Sequence, residues 1–290
     1  MFPKSIFVFL PDLHLILDIF SGKYRRATDI RTIKYAYLGD ALYGLAEYGS
    51  HFKIFVMKFI TVSGPPSSGK TAVLVKVLEE LKTQNVHVGV VKFDCLSTND
   101  QEIFHRRGIE AGTGLSGNLC PDHYFVSNVE ECIQWGRKKG FDLMVTESAG
   151  LCNRCSPHLK GVLAVCVIDN LMGVNTPQKI GPMLKFADIV VITKGDIVSQ
   201  AEREVFAYRV KQVNPSATIM HVNGITGQGA WQLSQLFQQT GVTESLLGTK
   251  LRFSMPAALC SYCLGEIRVG EEYQIGNAKK VKFEQGKRSF

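Results

Sequence analysis

The segment Gly64-Pro65-Pro66-Ser67-Ser68-Gly69-Lys70-Thr71 places the strongest constraint on how this chain folds. An apolar run, Phe59-Ile60-Thr61-Val62, precedes it, and the apolar residues between Ala72 and Leu81 that follow recur at helical spacing. Strand, glycine-rich loop and helix in this order match the G-x-x-x-x-G-K-[ST] phosphate-binding pattern. The residue types have a physical reason. Backbone N–H groups around Gly64, Ser67, Ser68 and Gly69, backed by the positive end of the helix, face the phosphates. Lys70 reaches the β and γ oxygens, and Thr71 offers its hydroxyl to Mg²⁺.

From Met57 to residue 241, short apolar segments alternate with helical ones. Strands are expected at 59–62, 87–93, 141–146, 162–168, 189–193 and 218–222, and helices at 72–81, 100–107, 129–139, 200–212 and 231–238. The stretch 108–121 reads as a glycine-rich loop. Such alternation predicts an α/β architecture: a P-loop nucleotide-binding fold with a mostly parallel sheet covered by helices on both faces, its ligands bound beyond the C-terminal strand ends. Residues 1–56 precede that fold as an extension of unassigned role, either translated from an early start codon upstream of Met57 or forming a small helical appendage on the core. After residue 241 the composition shifts, and 242–290 reads as a small cysteine-containing module with short strands near 267–269 and 272–275.

Composition narrows the function classes. An apolar fraction of 45% over 290 residues supports a substantial core. The net charge of +7 is scattered in short clusters. Nucleic-acid binding asks instead for a basic stripe with interleaved aromatics. Residues 6–20 are apolar, but Pro11, Asp12, His14 and Asp18 interrupt them. No run reaches the ~18 apolar residues of a membrane span, and no A-x-A-like cleavage site follows. The expectation is a cytoplasmic protein that meets no membrane and no nucleic acid. Eight cysteines then read as thiols or metal ligands rather than structural disulfides.

Lys194-Gly195-Asp196, after an expected buried strand, has the K-x-D form of guanine recognition. An Asp carboxylate accepts two hydrogen bonds from guanine N1–H and its exocyclic amine, which adenine does not supply, while the Lys stem lies along the base. Asp94 and Glu147 each follow a strand on the P-loop side and suit Mg²⁺ support and orientation of an attacking water.

In order and spacing, Gly64 to Thr71, the Asp94 loop, Glu147-Ser148-Ala149-Gly150, Asp169 and Thr193-Lys194-Gly195-Asp196 resemble the nickel-insertion GTPases that mature urease and hydrogenase, over residues 57–239. The resemblance implies GTP and Mg²⁺ as cofactors, a nucleotide-dependent homodimer and a client metalloenzyme. In that family the Cys and His of a C-P-H motif bind nickel or zinc at the dimer interface. The matching stretch here is Cys120-Pro121-Asp122-His123, one residue longer, which carries Cys120 and His123 over as ligands for Ni²⁺ or Zn²⁺.

The chain then departs from the family. Cys152-x-x-Cys155 lies on the loop after Glu147, and the tail adds Cys260-x-x-Cys263. Together the two pairs supply a Cys₄ zinc site or an iron–sulfur cluster, or else they are unrelated pairs or a thiol–disulfide switch. Cys132 and Cys166 fall in apolar patterns and read as core; His87, His221, Trp135 and Trp231 read as packed. The function expected is a Mg²⁺-dependent GTP-hydrolysing metallochaperone, slow when isolated because the sequence offers no obvious arginine finger or catalytic glutamine in cis, Arg154 being the only switch-loop candidate. Two alternatives stand beside it. One is a nucleotide-dependent metal- or redox-responsive regulator; the other is a P-loop small-molecule kinase, which leaves Lys194-Gly195-Asp196 unexplained.

Overall fold

The computed structural model describes residues 56–254, 267–273 and 280–283, together with the backbone of 5–10, 13–18 and 24–26. It divides into two units, 1–54 and 55–290. In the first, strands β1 (Ser5–Leu10), β2 (Leu13–Asp18) and β3 (Tyr24–Arg26) pair antiparallel in that order. These residues correct the expectation of a helical appendage. Runs such as Ile6-Phe7-Val8-Phe9 are β-branched and aromatic, which favours a pleated surface over a helix.

The second unit is built on seven parallel strands: β4 (Lys58–Ser63), β5 (Val88–Asp94), β6 (Glu110–Leu115), β7 (Leu143–Ser148), β8 (Leu163–Asp169), β9 (Ile189–Thr193) and β10 (Thr218–His221). They lie in the order β10-β9-β8-β4-β7-β5-β6. The P-loop strand β4 is central, pairing with β8 on one side and β7 on the other. Helices follow as α1 (Lys70–Thr83), α2 (Asp100–Arg106), α3 (Pro121–Lys139), α4 (Thr176–Ile180), α5 (Pro182–Lys185), α6 (Gln200–Val213) and α7 (Ala230–Gln239). Alternate strand residues face opposite layers. Ile60, Val62, Val145, Val165 and Val167 pack under α1 and α7. On the other face, Phe59, Val91, Phe93 and Met144 meet α3, and Cys166, Ile168, Val190 and Ile192 meet α4, α5 and α6. With both faces covered, the strands read as continuous apolar runs.

Strand β6 runs through part of the stretch expected to be loop. Its glycines answer a packing need. A Cβ on Gly112 would come 2.9 Å from the Phe283 ring and one on Gly114 2.7 Å from the Phe93 ring. Helix α3 also begins at Pro121, well before the expected 129, with Pro at its first turn. That start buries Asp122 and His123. Three other expectations change. Trp231 is 55% exposed, because Ala230, Leu233 and Phe237 carry the buried stripe of α7. His87 and His221 are also exposed. Trp135 does pack, against Phe141 and Phe283, and Cys132 and Cys166 are fully buried.

The described part of the tail pairs with the body of this unit. Val242 bridges Lys58 and Leu251 bridges Leu159, while within the tail Arg268 bridges Lys250. The strand expected at 267–269 reduces to that last bridge; of the one expected at 272–275, the described residues fall in a 3₁₀ turn at Glu271–Tyr273, and 274–275 lie outside the described residues. Cys260 and Cys263 lie outside the described residues. Among the described residues no helix is long and apolar enough to cross a membrane.

Arg252 fastens this segment. Its guanidinium grips both oxygens of Asp188, at 2.7 and 2.6 Å, and donates to the carbonyls of Leu159, Val162 and Phe186. A planar fork of donors is what such a cluster of acceptors requires. Arg252→Ala is expected to lower stability by about 1–3 kcal/mol, with Arg252→Lys recovering only part of it. Urea unfolding of the full chain measures both, and a wild-type midpoint for Arg252→Ala would refute the assignment.

Candidate functional site

The loop between β4 and α1 is forced into shape by backbone contacts. Gly64 has φ +146°, and a Cβ there would collide with the Val167 carbonyl. Gly69 has φ +88° and Ser67 φ +61°, both left-handed. The Ser68 hydroxyl is buried without a hydrogen-bond partner among the described residues. A polar atom buried in that way calls for a ligand or water. Lys70 folds back over the loop and donates to Gly64 O and Pro65 O at 2.8 Å each, and to Ala149 O at 3.4 Å. Burial lowers its pKa to about 8, opposed by the nearby Glu147 carboxylate and reinforced by the Lys92 ammonium.

Beside Lys70 the sheet delivers a compact set of charges. The Thr71 hydroxyl contacts Glu147 Oε1 and Oε2 at 3.0 and 3.2 Å and Asp100 Oδ2 at 3.1 Å. Glu147, at the end of β7, is fully buried. Lys92, from β5, binds Asp100 Oδ2 at 2.9 Å and also pairs with Glu147. Burial pushes Asp100 upward, but hydrogen bonding and charge from Lys92, with help from Thr71, outweigh it and hold the carboxyl below its usual range. Asp94 lines the same cleft of about 480 Å³. Its Oδ1 accepts from the Cys95 N–H at 2.8 Å, an Asx contact that shapes the turn leaving β5. A hydroxyl converging with two carboxylates is a hard-oxygen donor set of the kind Mg²⁺ takes beside phosphates.

The next strand end adds a second cleft. Thr193 donates to Ser68 O at 2.7 Å, tying β9 to the phosphate loop. Lys194, with φ +57°, reaches Ser67 O at 2.9 Å and Asp169 Oδ2 at 3.0 Å. Asp196 is exposed and lines a cleft of about 380 Å³ with Arg203, His221, Asn223, Gln228 and Gln232.

The loop after Glu147 lies directly on the phosphate loop. A Cβ on Gly150, whose φ is +68°, would collide with the Gly64 carbonyl. Farther along, Cys152 is half-buried and Cys155 buried. His158 ends this stretch in the core, within 3.1 Å of both Thr61 Oγ1 and Ser63 Oγ on β4 and 3.2 Å from Met183 O. Burial, with Arg252 nearby, lowers its pKa to about 3, so the ring is neutral. Cys120, half-buried, stands at the N-cap of α3, while His123 is buried one turn into it. Asp122, between them, accepts from the Ser148 hydroxyl, and burial pushes its carboxyl up to about 7, with Cys120 adding to the rise. Among the described residues no three His, Cys, Asp or Glu side chains are arranged to hold a metal ion.

Comparison with known proteins agrees with this layout. A model of the CobW/HypB/UreG, nucleotide-binding domain family matches residues 58–221, more than half of the chain. The chain belongs to that family. It is 44% identical over 225 residues to an uncharacterised protein of Methanocaldococcus jannaschii, covering 78% of this chain and 96% of that one. It is 30% identical over 149 residues to urease accessory protein UreG 2 of Bradyrhizobium sp., covering 48% of this chain and 69% of the relative. HypB from Helicobacter pylori, solved in complex with nickel, is similar in fold, with a TM-score of 0.51 at 17% identity over 63% of this chain and 86% of that chain.

As a CobW/HypB/UreG domain, the chain carries site residues that its motifs did not announce. Asp100 stands in the first turn of α2, and Lys92 is a lysine inside an otherwise apolar strand, a pattern that could have flagged it. The loop Asn223 to Gly229 holds three glycines between β10 and α7, and Asn223 Oδ1 shapes it by accepting from Ile225 and Thr226 N–H at 2.8 and 3.0 Å.

Lys70 also yields a pH dependence. In the free protein its ammonium loses a proton near pH 8; phosphate favours the charged form, so binding above that pH takes up a proton. Nucleotide affinity is expected to fall as pH rises from 7 to 9.5, approaching about tenfold per unit above 8. Calorimetric titrations in buffers of different ionisation enthalpy check the sign, and proton release on binding would contradict it.

Proposed function

We propose that this member of the CobW/HypB/UreG family is a Mg²⁺-dependent GTPase that couples its nucleotide state to the handling of a transition metal for a client metalloenzyme. The observation that supports the reading above all others is the meeting of the Thr71 hydroxyl with Asp100 and Glu147 beside the Lys70 loop. The phosphate loop and Lys70 bind the triphosphate. Thr71, Asp100 and Glu147 are the residues that would hold Mg²⁺, with Asp94 within the same cleft to orient water. When bound, Mg²⁺ neutralises charge on the β and γ phosphates. Lys194 and Asp196 select guanine, with the Asn223 to Gly229 loop completing the second cleft. Catalysis rests on positioning and electrostatics with no covalent intermediate.

The metal half of the proposal draws on the relatives: one is a urease accessory protein and another was solved with nickel. Cys120, at the N-cap of α3, and His123, buried in its first turn, are proposed as the thiolate and imidazole for Ni²⁺ or Zn²⁺ across a nucleotide-dependent homodimer, which requires that turn to open and expose His123. Cys152 with Cys155, and Cys260 with Cys263, are proposed as additional ligands.

The test compares GTP and ATP in binding and hydrolysis, each with and without Mg²⁺. GTP is expected to be favoured and Mg²⁺ to be required. Thr71→Ala should lower turnover by about 10²-fold. Asp196→Asn should weaken GTP by about tenfold or more and improve binding of xanthosine triphosphate, since an amide donor then faces the base carbonyl. Equal affinity for ATP and GTP, or an unaltered base preference in Asp196→Asn, would overturn the guanine assignment. Metal analysis of Cys120→Ala against the wild type, with GTP added, tests the second half. Unchanged nickel or zinc content would remove Cys120 from the site.

A further inference from the structure

Lys92 is a buried lysine at the heart of the cleft, and the functions described so far give it no task. Its Nζ contacts Asp100 Oδ2 at 2.9 Å and also Glu147 Oε1. These are the oxygens within hydrogen-bond distance of the Thr71 hydroxyl, at 3.1 and 3.0 Å. The ammonium therefore sits against the same oxygen set that suits Mg²⁺. Its side chain is only 7% exposed, and Glu147 is wholly buried. Two carboxylates this close, with little water to screen them, repel each other unless a cation lies between them.

We infer that Lys92 is a resident counter-ion of the Mg²⁺ site: it holds Asp100 and Glu147 together before metal arrives and must give up those oxygens for metal to bind. The inference rests on the Mg²⁺–nucleotide reading in naming the ion that competes with the ammonium. Its consequence concerns order. A divalent ion alone gains two carboxylates but must displace a buried ammonium held by two charge-assisted hydrogen bonds, one of them to the fully buried Glu147. A divalent ion arriving with a triphosphate brings further oxygen ligands and new anionic partners for Lys92. Metal entry is thereby made conditional on nucleotide, which keeps a hard-oxygen site from taking up ions in the resting protein.

The probe is Mn²⁺ without nucleotide, read from the free-ion signal in electron paramagnetic resonance. Wild type and Lys92→Arg, which keeps the positive charge, are expected to bind Mn²⁺ weakly. Lys92→Met should bind one Mn²⁺ about tenfold more tightly or better, and Mg²⁺ alone should raise its melting temperature while leaving that of the wild type unchanged. Equal Mn²⁺ affinity in wild type and Lys92→Met would overturn the inference and leave Lys92 as a fold-stabilising ion pair.

Removing the ammonium risks the fold itself, so a second variant is included. If Lys92→Met is unfolded without metal, Mg²⁺ should restore its circular dichroism, and Lys92→Met combined with Asp100→Asn should fold without metal. Failure of either overturns the inference, because the ammonium would then do more than balance charge. Nucleotide binding by the wild type, with and without Mg²⁺, is measured separately. Its absence would overturn the functional reading, while the metal-only comparison still decides the role of Lys92.

Discussion

The structure depends most on the mutual neutralisation of charges buried at the C-terminal ends of β4, β5 and β7. Lys70, Lys92 and Glu147 are each buried, while the Asp100 side chain is 23% exposed at the rim of the cleft. An isolated ion in such a place costs several kcal/mol. Here each cation has an anion or a ring of carbonyls within hydrogen-bond distance. The directions of the pKa shifts follow from that arrangement. Lys70 is pulled down because its burial outweighs the attraction of Glu147; Lys92, hydrogen-bonded directly to carboxylates, is raised despite its burial. A parallel sheet supplies the means, since all its strand ends deliver their residues to the same edge.

Backbone packing holds this charge cluster in register with the loops around it. Gly150 lies so close to the Gly64 carbonyl that the loop after Glu147 and the phosphate loop are in direct backbone contact, with no room for a side chain between them. The far end of the Glu147 loop is held by His158. Met183 O can only accept, so Nε2 carries the ring proton and Nδ1 accepts from the Thr61 hydroxyl. That tautomer demands a neutral ring, which burial ensures. The carbonyl of His158 itself accepts from the Arg252 backbone N–H at 2.8 Å. The tail is thus fastened to the stretch that also carries Cys152 and Cys155, and both ends of that stretch touch β4 or the loop it feeds.

The sequence made the phosphate side legible because its chemistry needs a contiguous motif. Glycines at fixed offsets, a lysine and a hydroxyl admit little variation, and the flanking apolar periods gave the strand and helix. Glu147, Lys194 and Asp196 were visible for a related reason, since each follows a long apolar strand. Asp100 and Lys92 were harder to see. Their roles arise from the pairing of β5 with β7, which sets Lys92 opposite Glu147, and no local pattern encodes that pairing. The misreading of β6 has its own cause. In sequence Gly112 and Gly114 read as loop glycines, whereas aromatic rings from Phe283 and Phe93 occupy the space their side chains would fill. A strand glycine required by a neighbour far along the chain looks, in sequence, like a turn.

The residue that lengthens Cys-Pro-His to Cys120-Pro121-Asp122-His123 acquires a structural meaning from the same sheet. Asp122 reaches Ser148, and Ser148 follows Glu147 directly on β7. The first turn of α3, carrying Cys120 and His123, is therefore hydrogen-bonded to the strand end whose carboxylate meets Thr71. In a motif without the inserted residue, the imidazole would fall one position earlier on the helix, turned by about 100° around its axis. Here the insertion places His123 in the core, leaves Cys120 at the half-exposed N-cap, and puts a carboxyl poised near neutrality between them. A rearrangement of Glu147 would have to stretch or carry the Ser148–Asp122 bond with it. The phosphate cleft and the thiol are thereby joined by one hydrogen bond and three peptide bonds, one from Glu147 to Ser148 and two from Asp122 to Cys120.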